Sequence, residues 1–305
     1  MRRLIMGLGV VLALLAVGVW MEPTGVVLGW MNGETFYQNR PSRYWGKALT
    51  SSDPATQAQT HQALKDGGQS AVPVLAEILQ KDHNAEARWK AADLLGRLGP
   101  EARQMPPALS ALSSALKDDN PQVRTVAATA LASIGPAGPE AIPTLQEMLS
   151  TPDRLPALRA LALYGSDAAP AIEKIVALLK HEGDSEVRWN AARTLGRIGP
   201  AAKQATPKLV AALKDPEPLV REHAAEALGE IGPDAKEAIP ELVQALKDPD
   251  ARVRRDAVRS LGQMAASAKS TVESIRPLLE DKEERVRKAA RVSLHQIDPS
   301  AEKPD

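Results

Sequence analysis

Residues Glu217–Pro249 read EPLVREHAAEALGEIGPDAKEAIPELVQALKDP, and the chain repeats this pattern on both sides of them. Asp184–Pro216 reads DSEVRWNAARTLGRIGPAAKQATPKLVAALKDP, and Asp250–Lys282 reads DARVRRDAVRSLGQMAASAKSTVESIRPLLEDK. One arginine recurs at the same place in successive copies, 33 residues apart: Arg188, Arg221, Arg254 and Arg287. A period of this length indicates one supersecondary unit that is copied and stacked, because a single unit cannot bury its apolar face alone.

Each copy predicts two helices. The first helix has apolar residues at helical spacing, such as Ile239, Leu242 and Leu246, and it ends before Pro249. The second helix follows, and its pattern is counted from the recurring arginine. Alanine occurs three positions on, at Ala91, Ala127, Ala157, Ala191, Ala224, Ala257 and Ala290. Leucine occurs seven positions on, at Leu95, Leu131, Leu161, Leu195, Leu228, Leu261 and Leu294. These positions form one apolar stripe, and a small residue eight positions on allows neighbouring helices to approach closely.

A glycine follows the stripe in five copies, at Gly99, Gly135, Gly165, Gly199 and Gly232. Glycine just past the last turn closes a helix, because it adopts a positive φ at little cost. A proline 19 residues after the arginine fits the first turn of the next first helix, at Pro107, Pro143, Pro207 and Pro240.

Composition excludes several classes of function. The 305 residues include 38 basic and 38 acidic side chains, so the chain lacks the cationic excess that nucleic-acid binding needs. There is no cysteine, which excludes disulfides, thiol nucleophiles and thiolate metal sites.

The N-terminus predicts an export signal. Arg2 and Arg3 precede an uncharged run, Leu4–Met21, whose length as a helix is roughly 27 Å and so approaches the roughly 30 Å bilayer core. We expect residues 1–21 to be a retained transmembrane anchor with a cytoplasmic N-terminus and an exported repeat domain. The alternative is a cleaved signal peptide, which would give a secreted or periplasmic protein. Residues 22–40 predict a juxtamembrane linker, and residues 300–305 a disordered tail.

The copies resemble HEAT repeats, in the short bacterial form also found in phycobilisome-lyase-type proteins, over about Ala55–Pro299. The resemblance implies an all-α fold: a right-handed α-solenoid of stacked antiparallel helix pairs, an armadillo-like superhelix. It would occupy residues 41–299 with about eight pairs, the first acting as a cap.

In that family an aspartate between the helices and an arginine six residues later link adjacent repeats as a buried polar ladder. The matching residues here are Asp82/Arg88, Asp118/Arg124, Asp215/Arg221, Asp248/Arg254 and Asp281/Arg287, with Glu182 in place of aspartate before Arg188. The third copy departs from the pattern, and its ladder arginine is either Arg154 or Arg159.

Positions one, five and nine after the arginine share one face of the second helix, and this face varies from copy to copy. In HEAT-like solenoids the second helix lines the concave side. The candidate partner-binding residues on this face are Trp89, Arg97, Trp189, Arg193, Arg197, Glu222, Glu226, Arg255 and Arg259. Each tryptophan is either a binding hot spot or a ring packed over its neighbour. The glutamates either face a partner or form salt bridges between repeats.

No catalytic motif occurs, and the five histidines are scattered. The leading hypothesis is therefore a membrane-tethered, non-catalytic scaffold that binds a protein or peptide, with no cofactor, metal, small-molecule substrate or nucleic acid. One alternative is a chromophore-lyase-like or other enzyme-accessory protein. A second is a nucleic-acid-binding solenoid.

Overall fold

The computed structural model describes residues 25–134, 141–181 and 183–298. The chain divides into two compact units, Met1–Ala141 and Ile142–Asp305. Both units are α-helical, and the strands in the described part of the chain form one short hairpin. The predicted segment 1–21, Glu182 and the predicted tail 300–305 lie outside the described residues.

The predicted location requires a correction. In the part of the chain that the structure describes, no helix has both the length and the apolar character needed to span a bilayer. The prediction of a single-pass membrane protein with an exported repeat domain is contradicted by this finding. The apolar run that suggested it, residues 4–21, lies outside the described residues.

The first unit contains a short hairpin and six long helices that follow a small N-terminal helix. The bounds are α1 Val26–Met31, β1 Phe36–Tyr37, β2 Arg40–Pro41, α2 Ser42–Leu49, α3 Pro54–Asp66, α4 Val72–Lys81, α5 Ala85–Arg97, α6 Pro106–Ala115 and α7 Pro121–Ile134. Single 3₁₀ segments, Gly68–Ala71 and Gly99–Gln104, join α3 to α4 and α5 to α6. First helix α4 packs on α6, and second helix α5 packs on α7, so successive pairs are stacked.

The described part of the predicted linker, from Gly25 onward, is folded onto the first helix pairs. Strands β1 and β2 are antiparallel, and the Trp45 indole N–H donates to the Tyr37 carbonyl at 3.0 Å. Thr35 donates from both its backbone N–H and its hydroxyl to the Glu77 carboxylate, each at 2.6 Å. The prediction of a linker is thus wrong for these residues. Its glycines and polar residues form tight turns, since Gln38 and Asn39 both have positive φ at the hairpin.

The second unit continues the helix pairs. Its helices are α8 Ala141–Met148, α9 Arg154–Tyr164, α10 Ile172–Leu178, α11 Ser185–Ile198, α12 Thr206–Ala212, α13 Pro218–Ile231, α14 Ile239–Ala245, α15 Ala251–Gln263, α16 Val272–Ile275 and α17 Glu284–Ile297. The second helices α9, α11, α13, α15 and α17 pack each on the next, and this row forms the largest set of contacts in the unit. This stacking of antiparallel pairs is the architecture of an α-solenoid, as the repeat predicts.

The apolar stripe forms the core of both units. Every alanine three positions after the arginine, and every leucine seven positions after it, is fully buried. A buried leucine side chain contributes about 1.5–3 kcal/mol to folding, whereas alanine contributes less but occupies little space. A core rich in alanine therefore depends on close approach of the helices.

That close approach is visible at the glycine eight positions after the arginine. A Cβ atom on Gly229 would lie 2.8 Å from the Cα of Ser260 on the next second helix, and one on Gly96 would lie 2.8 Å from the Cα of Ala130. The Ser260 hydroxyl donates across the same contact to the Ala225 carbonyl at 2.6 Å. The small residues thus bring neighbouring second helices into backbone contact.

Glycines with positive φ close four of the described second helices, as the sequence predicts: Gly99, Gly165, Gly199 and Gly232. Gly232 has φ 76° at the end of α13, a 3₁₀ segment Gly232–Ala238 follows, and Pro240 lies in the first turn of α14. Ala265 occupies the corresponding place after α15 and also has a positive φ, 49°. An L-residue with a side chain pays for this conformation, so Ala265 is a point of local strain.

Candidate functional site

The recurring arginines form two sets of hydrogen bonds, which together define the arginine ladder. In the rung of Arg221, Nε and one terminal nitrogen donate to the two carboxylate oxygens of Asp248, at 2.8 and 3.0 Å. The other terminal nitrogen donates to the Asp215 carbonyl at 2.9 Å. The carboxylate partner therefore belongs to the next repeat, and the residue six positions before the arginine contributes its backbone. The hydrogen bonds with Asp248 raise the pKa of Arg221 above its ordinary value.

Three other rungs have the same forked geometry, with distances of 2.7–2.9 Å: Arg88 to Asp118, Arg188 to Asp215, and Arg254 to Asp281. Each aspartate also caps the following turn, as when Asp248 Oδ1 accepts from the Asp250 N–H at 2.9 Å. A guanidinium that binds one repeat through a carboxylate and its own repeat through a carbonyl fixes their spacing.

The ends of the ladder differ from its middle. Asp82 caps the Asn84 N–H at 2.8 Å. The last arginine, Arg287, donates to the Asp281 carbonyl at 2.7 Å. Arg124 donates to the Asp118 carbonyl at 2.7 Å and has a further interaction beyond it.

The third copy places a histidine where the other rungs have a carboxylate. Arg154 hydrogen-bonds the His181 ring, and the His181 carbonyl accepts from Arg188 at 3.1 Å. The predicted substitute, Glu182, lies outside the described residues. The competing candidate, Arg159, instead forms an ion pair with Glu186 at 2.6 Å.

Positions one, five and nine after each arginine form what we call the variable face. On α5, α7, α11, α13, α15 and α17 none of these side chains is buried, whereas the stripe on the same helices is buried throughout. The spacing read from the sequence therefore separates the core of each second helix from its accessible side.

Both candidate tryptophans on this face are half-buried. The Trp189 ring stacks on the His223 ring of the next second helix, with centroids 5.1 Å apart and planes 25° from parallel. His223 Nδ1 is in turn hydrogen-bonded to Glu226 at 2.9 Å. In the first unit, the Lys90 ammonium lies 5.6 Å from the Trp89 ring centroid. Each indole thus packs against a neighbour on one side and remains partly accessible on the other.

The glutamates of α13 bind the arginines on both sides of them. Glu222 forms ion pairs with Arg255 at 3.1 Å and with Arg252 at 3.6 Å, both on α15. Glu230 pairs with Arg197 of α11 at 3.1 Å. The structure therefore contains salt bridges between repeats, which the sequence predicts as one of two alternatives for these glutamates.

Burial raises the pKa of Glu230 above its ordinary value, although Arg197 opposes the shift. Glu226 behaves oppositely, because its hydrogen bond with His223 lowers its pKa. Arg193, half-buried on α11, has no ion-pair partner within 4 Å among the described residues.

Sequence reasoning missed Asp256. This aspartate is buried on α15, where Arg255 binds both of its oxygens at 2.8 and 2.6 Å and Arg259 approaches at 3.3 Å. It lies two positions after a ladder arginine, as do His223 and Asn190. That position is polar in three consecutive second helices, which is the signal that would have found it.

The variable face of the first unit is less charged. Asp93 and Arg97 form an ion pair at 2.7 Å on α5, beside an open groove that Thr129 and Ser133 of α7 line. Over the described ranges of both units, no group of three or more histidine, aspartate or glutamate side chains is arranged to hold a metal ion.

The family model for HEAT repeats matches residues 101–164, 152–214, 172–242 and 239–304. The chain belongs to the HEAT-repeat family. An engineered protein of known crystal structure is similar to it, with 27% identity over 84% of this chain and 78% of the other, and a TM-score of 0.57. A second engineered protein shares 26% identity over 85% of this chain and 96% of its own, with a TM-score of 0.42. No curated protein matches the chain. A HEAT-repeat solenoid is consistent with a protein-interaction scaffold, and such folds are typically non-catalytic.

Proposed function

We propose that this HEAT-repeat protein is a non-catalytic scaffold that binds a protein or peptide across the variable face of its second helices. One observation carries the proposal: the variable face is accessible on every second helix from α11 to α17, while its sequence changes from copy to copy. A repeated scaffold that keeps its core and varies one accessible face has the organisation of a specific binding surface.

The proposed contact residues combine aromatic rings with arginines, which are enriched in the energetically dominant parts of protein interfaces. Trp189 supplies a ring whose orientation is fixed by His223, and Arg193 and Arg197 follow it at successive turns of α11. Trp89 and Arg97 hold the equivalent positions on α5. Glu222 and Glu226 act through their neighbours, because their carboxylates orient Arg255 and His223.

The arginine ladder has a structural role in this proposal. Its forked bonds hold successive repeats in register, so that side chains on neighbouring second helices keep a fixed spacing toward a partner. We assign no proton transfer to these carboxylates, because each is bound from two sides.

Site-specific photo-crosslinking tests the location of binding. A photoreactive residue is placed at Ser133 or Gln263, both exposed on the variable face, and at Ser110 or Gln244, which are exposed on first helices. Irradiation in cells that express the protein should crosslink a partner protein from the two face positions and not from the two controls.

The same crosslinks test the tryptophans. Trp189→Ala should reduce the yield from Gln263, and Trp89→Ala should reduce the yield from Ser133. Equal yields from face and control positions, or yields that neither substitution changes, would refute the assignment of this face.

The finer resemblance, to phycobilisome-lyase-type repeats, implies chromophore attachment. Nothing in the geometry of the described residues favours that activity, since the carboxylates of the variable face are occupied by arginines or histidine. Nucleic-acid binding likewise has no support from a chain whose charges cancel.

A further inference from the structure

On α11, α13 and α15, the arginines of the variable face are more exposed than the carboxylates they pair with. In the pair Arg197–Glu230 the arginine side chain is 48% exposed and the glutamate 22%. In Arg259–Asp256 the values are 54% and 4%. The acidic partners thus lie deeper than the guanidinium groups, so arginines are the outermost charged groups of these pairs although the charges of each pair cancel.

The buried carboxylate of Asp256 orients two arginines of the variable face. Asp256 holds Arg255 with two hydrogen bonds and contacts Arg259 through one terminal nitrogen. The remaining N–H groups of Arg259 make no hydrogen bond to another described residue, and its side chain is 54% exposed. An arginine already oriented from below loses less conformational entropy when it binds a carboxylate from above.

The accessible carboxylates nearby are themselves bound by neighbouring side chains. Glu226 is the most exposed carboxylate of α13, and it is bound to His223 beside the Trp189 ring. Arg193, one turn from Trp189, adds a cation that no described carboxylate neutralises within 4 Å. The stacked rings of Trp189 and His223 provide an apolar surface between these charges.

From this arrangement we infer that the variable face of α11, α13 and α15 binds an acidic, extended segment of a partner protein. Carboxylates of the segment pair with Arg193, Arg197 and Arg259, and its backbone lies across Trp189. The inference rests on the proposed function and specifies the chemistry of the partner.

The spacing of the helices sets the form of the segment. Neighbouring packed helices are about 8–10 Å apart, so arginines on α11 and α15 are roughly 16–20 Å apart. An extended chain advances about 3.3 Å per residue, so about five or six residues separate two carboxylates that bind both helices. Nucleic acid fits less well, because its closely spaced phosphates would also meet the carboxylates of Glu226 and Glu230.

A fluorescein-labelled peptide of twelve residues, with glutamate at positions 2, 7 and 12 and neutral polar residues elsewhere, serves as the probe. Anisotropy titration uses the full chain at physiological salt, beside peptides in which glutamine or lysine replaces every glutamate. We expect the glutamate peptide to bind about tenfold tighter than either of the others, since charge complementarity separates the three.

The location is tested with charge-matched variants. Arg197→Gln with Arg259→Gln should weaken binding of the glutamate peptide by about tenfold. Arg276→Gln with Arg285→Gln removes the same charge from exposed sites off the face, and it should change binding by less than about twofold. Circular dichroism confirms that both double variants are folded.

Three results would overturn the inference: equal binding of the glutamine peptide, tighter binding of the lysine peptide, or equal loss in both double variants. Tighter binding of an oligonucleotide of the same charge would overturn it in favour of a different partner. A protein crosslinked at Gln263 without binding of the glutamate peptide would reject the acidic segment alone and leave the scaffold function standing.

Discussion

The rung formed by Arg221 and Asp248 provides the most direct test of how the repeats are held together. The two side chains are 13% and 9% exposed, and they share two hydrogen bonds of 2.8 and 3.0 Å. Arg221→Met keeps the aliphatic stem but leaves the Asp248 carboxylate and the Asp215 carbonyl without their guanidinium donor. Asp248→Asn keeps an acceptor for the Asp250 N–H and removes the charge.

The expected cost follows from burial. Breaking a fully buried ion pair costs about 3–5 kcal/mol, because the remaining charge is uncompensated. The residual exposure of this rung lets water reach the remaining group, so we expect a cost of about 2–4 kcal/mol for each single substitution. The double variant should lose less than the sum, with a coupling energy of about 1.5–3 kcal/mol.

The measurement is a double-mutant cycle from urea unfolding followed by circular dichroism. Because repeat proteins unfold in parts, hydrogen exchange should accompany it, and protection should fall first in α13 and α15. Arg276 and Glu273 form the control pair, since they are joined at 3.1 Å but are 45% and 83% exposed. Exposed pairs contribute about 0–1 kcal/mol. A coupling energy for the Arg221 rung no larger than that of the control would refute the view that the ladder stabilises the stack.

Three further predictions concern single positions. His181→Asp should raise the melting temperature of the second unit by a few degrees, because it gives Arg154 the carboxylate partner that the other rungs have; a lower value would contradict this account. Ala265→Gly should stabilise the protein by about 0.5–1 kcal/mol in urea unfolding, because relief of the positive φ outweighs the added freedom of the unfolded chain. The hydrogen bonds from Arg252 lower the pKa of Asp250 to about 2, so its stabilising effect is present above the unfolded pKa near 4 and is lost as the pH falls toward 2. The melting temperatures of wild type and Asp250→Asn should therefore differ at pH 6 and converge near pH 2.

Periodicity predicted the helices and their buried side correctly, because both depend on local spacing. Alanine three positions and leucine seven positions after the arginine lie on one side of any α-helix, whatever its neighbours are. The same spacing identified the accessible face, on which Trp189 and Gln263 lie. These features follow from the geometry of one helix and from the repeat that stacks it.

The spacing of residues within one copy does not predict which carboxylate each ladder arginine binds. The arginine and the aspartate six residues before it are close in sequence, yet Arg221 takes its carboxylate from Asp248, 27 residues later. The long side chain extends from the first turn of α13 toward the next loop, while its own loop offers only a carbonyl. Which residue receives it depends on how far apart two repeats are stacked, and a single copy does not contain that distance.

The N-terminal hairpin was missed for a related reason. Residues Gly25–Pro41 contain four glycines or turn residues with positive φ and strands of only two residues, so no helical or strand period can be recognised. Their stability comes from distant partners, such as Glu77 for Thr35 and Trp45 for Tyr37. A segment held by tertiary contacts resembles a linker when its sequence is considered alone.

The net charge counted from the sequence also differs from the charge that the folded protein exposes. A net charge of zero counts every ionised side chain equally, and so it argues correctly against a uniformly basic protein. A partner, however, meets the outermost groups first, and Coulomb interactions weaken with distance and with screening by water. On α15 the carboxylate of Asp256 is buried and the guanidinium of Arg259 is more than half exposed, so the pair is neutral in the count but cationic at the surface. Exchanging the two residues, Asp256→Arg with Arg259→Asp, would leave the composition unchanged; by this argument it would bury an arginine, expose an acid and abolish affinity for the glutamate peptide.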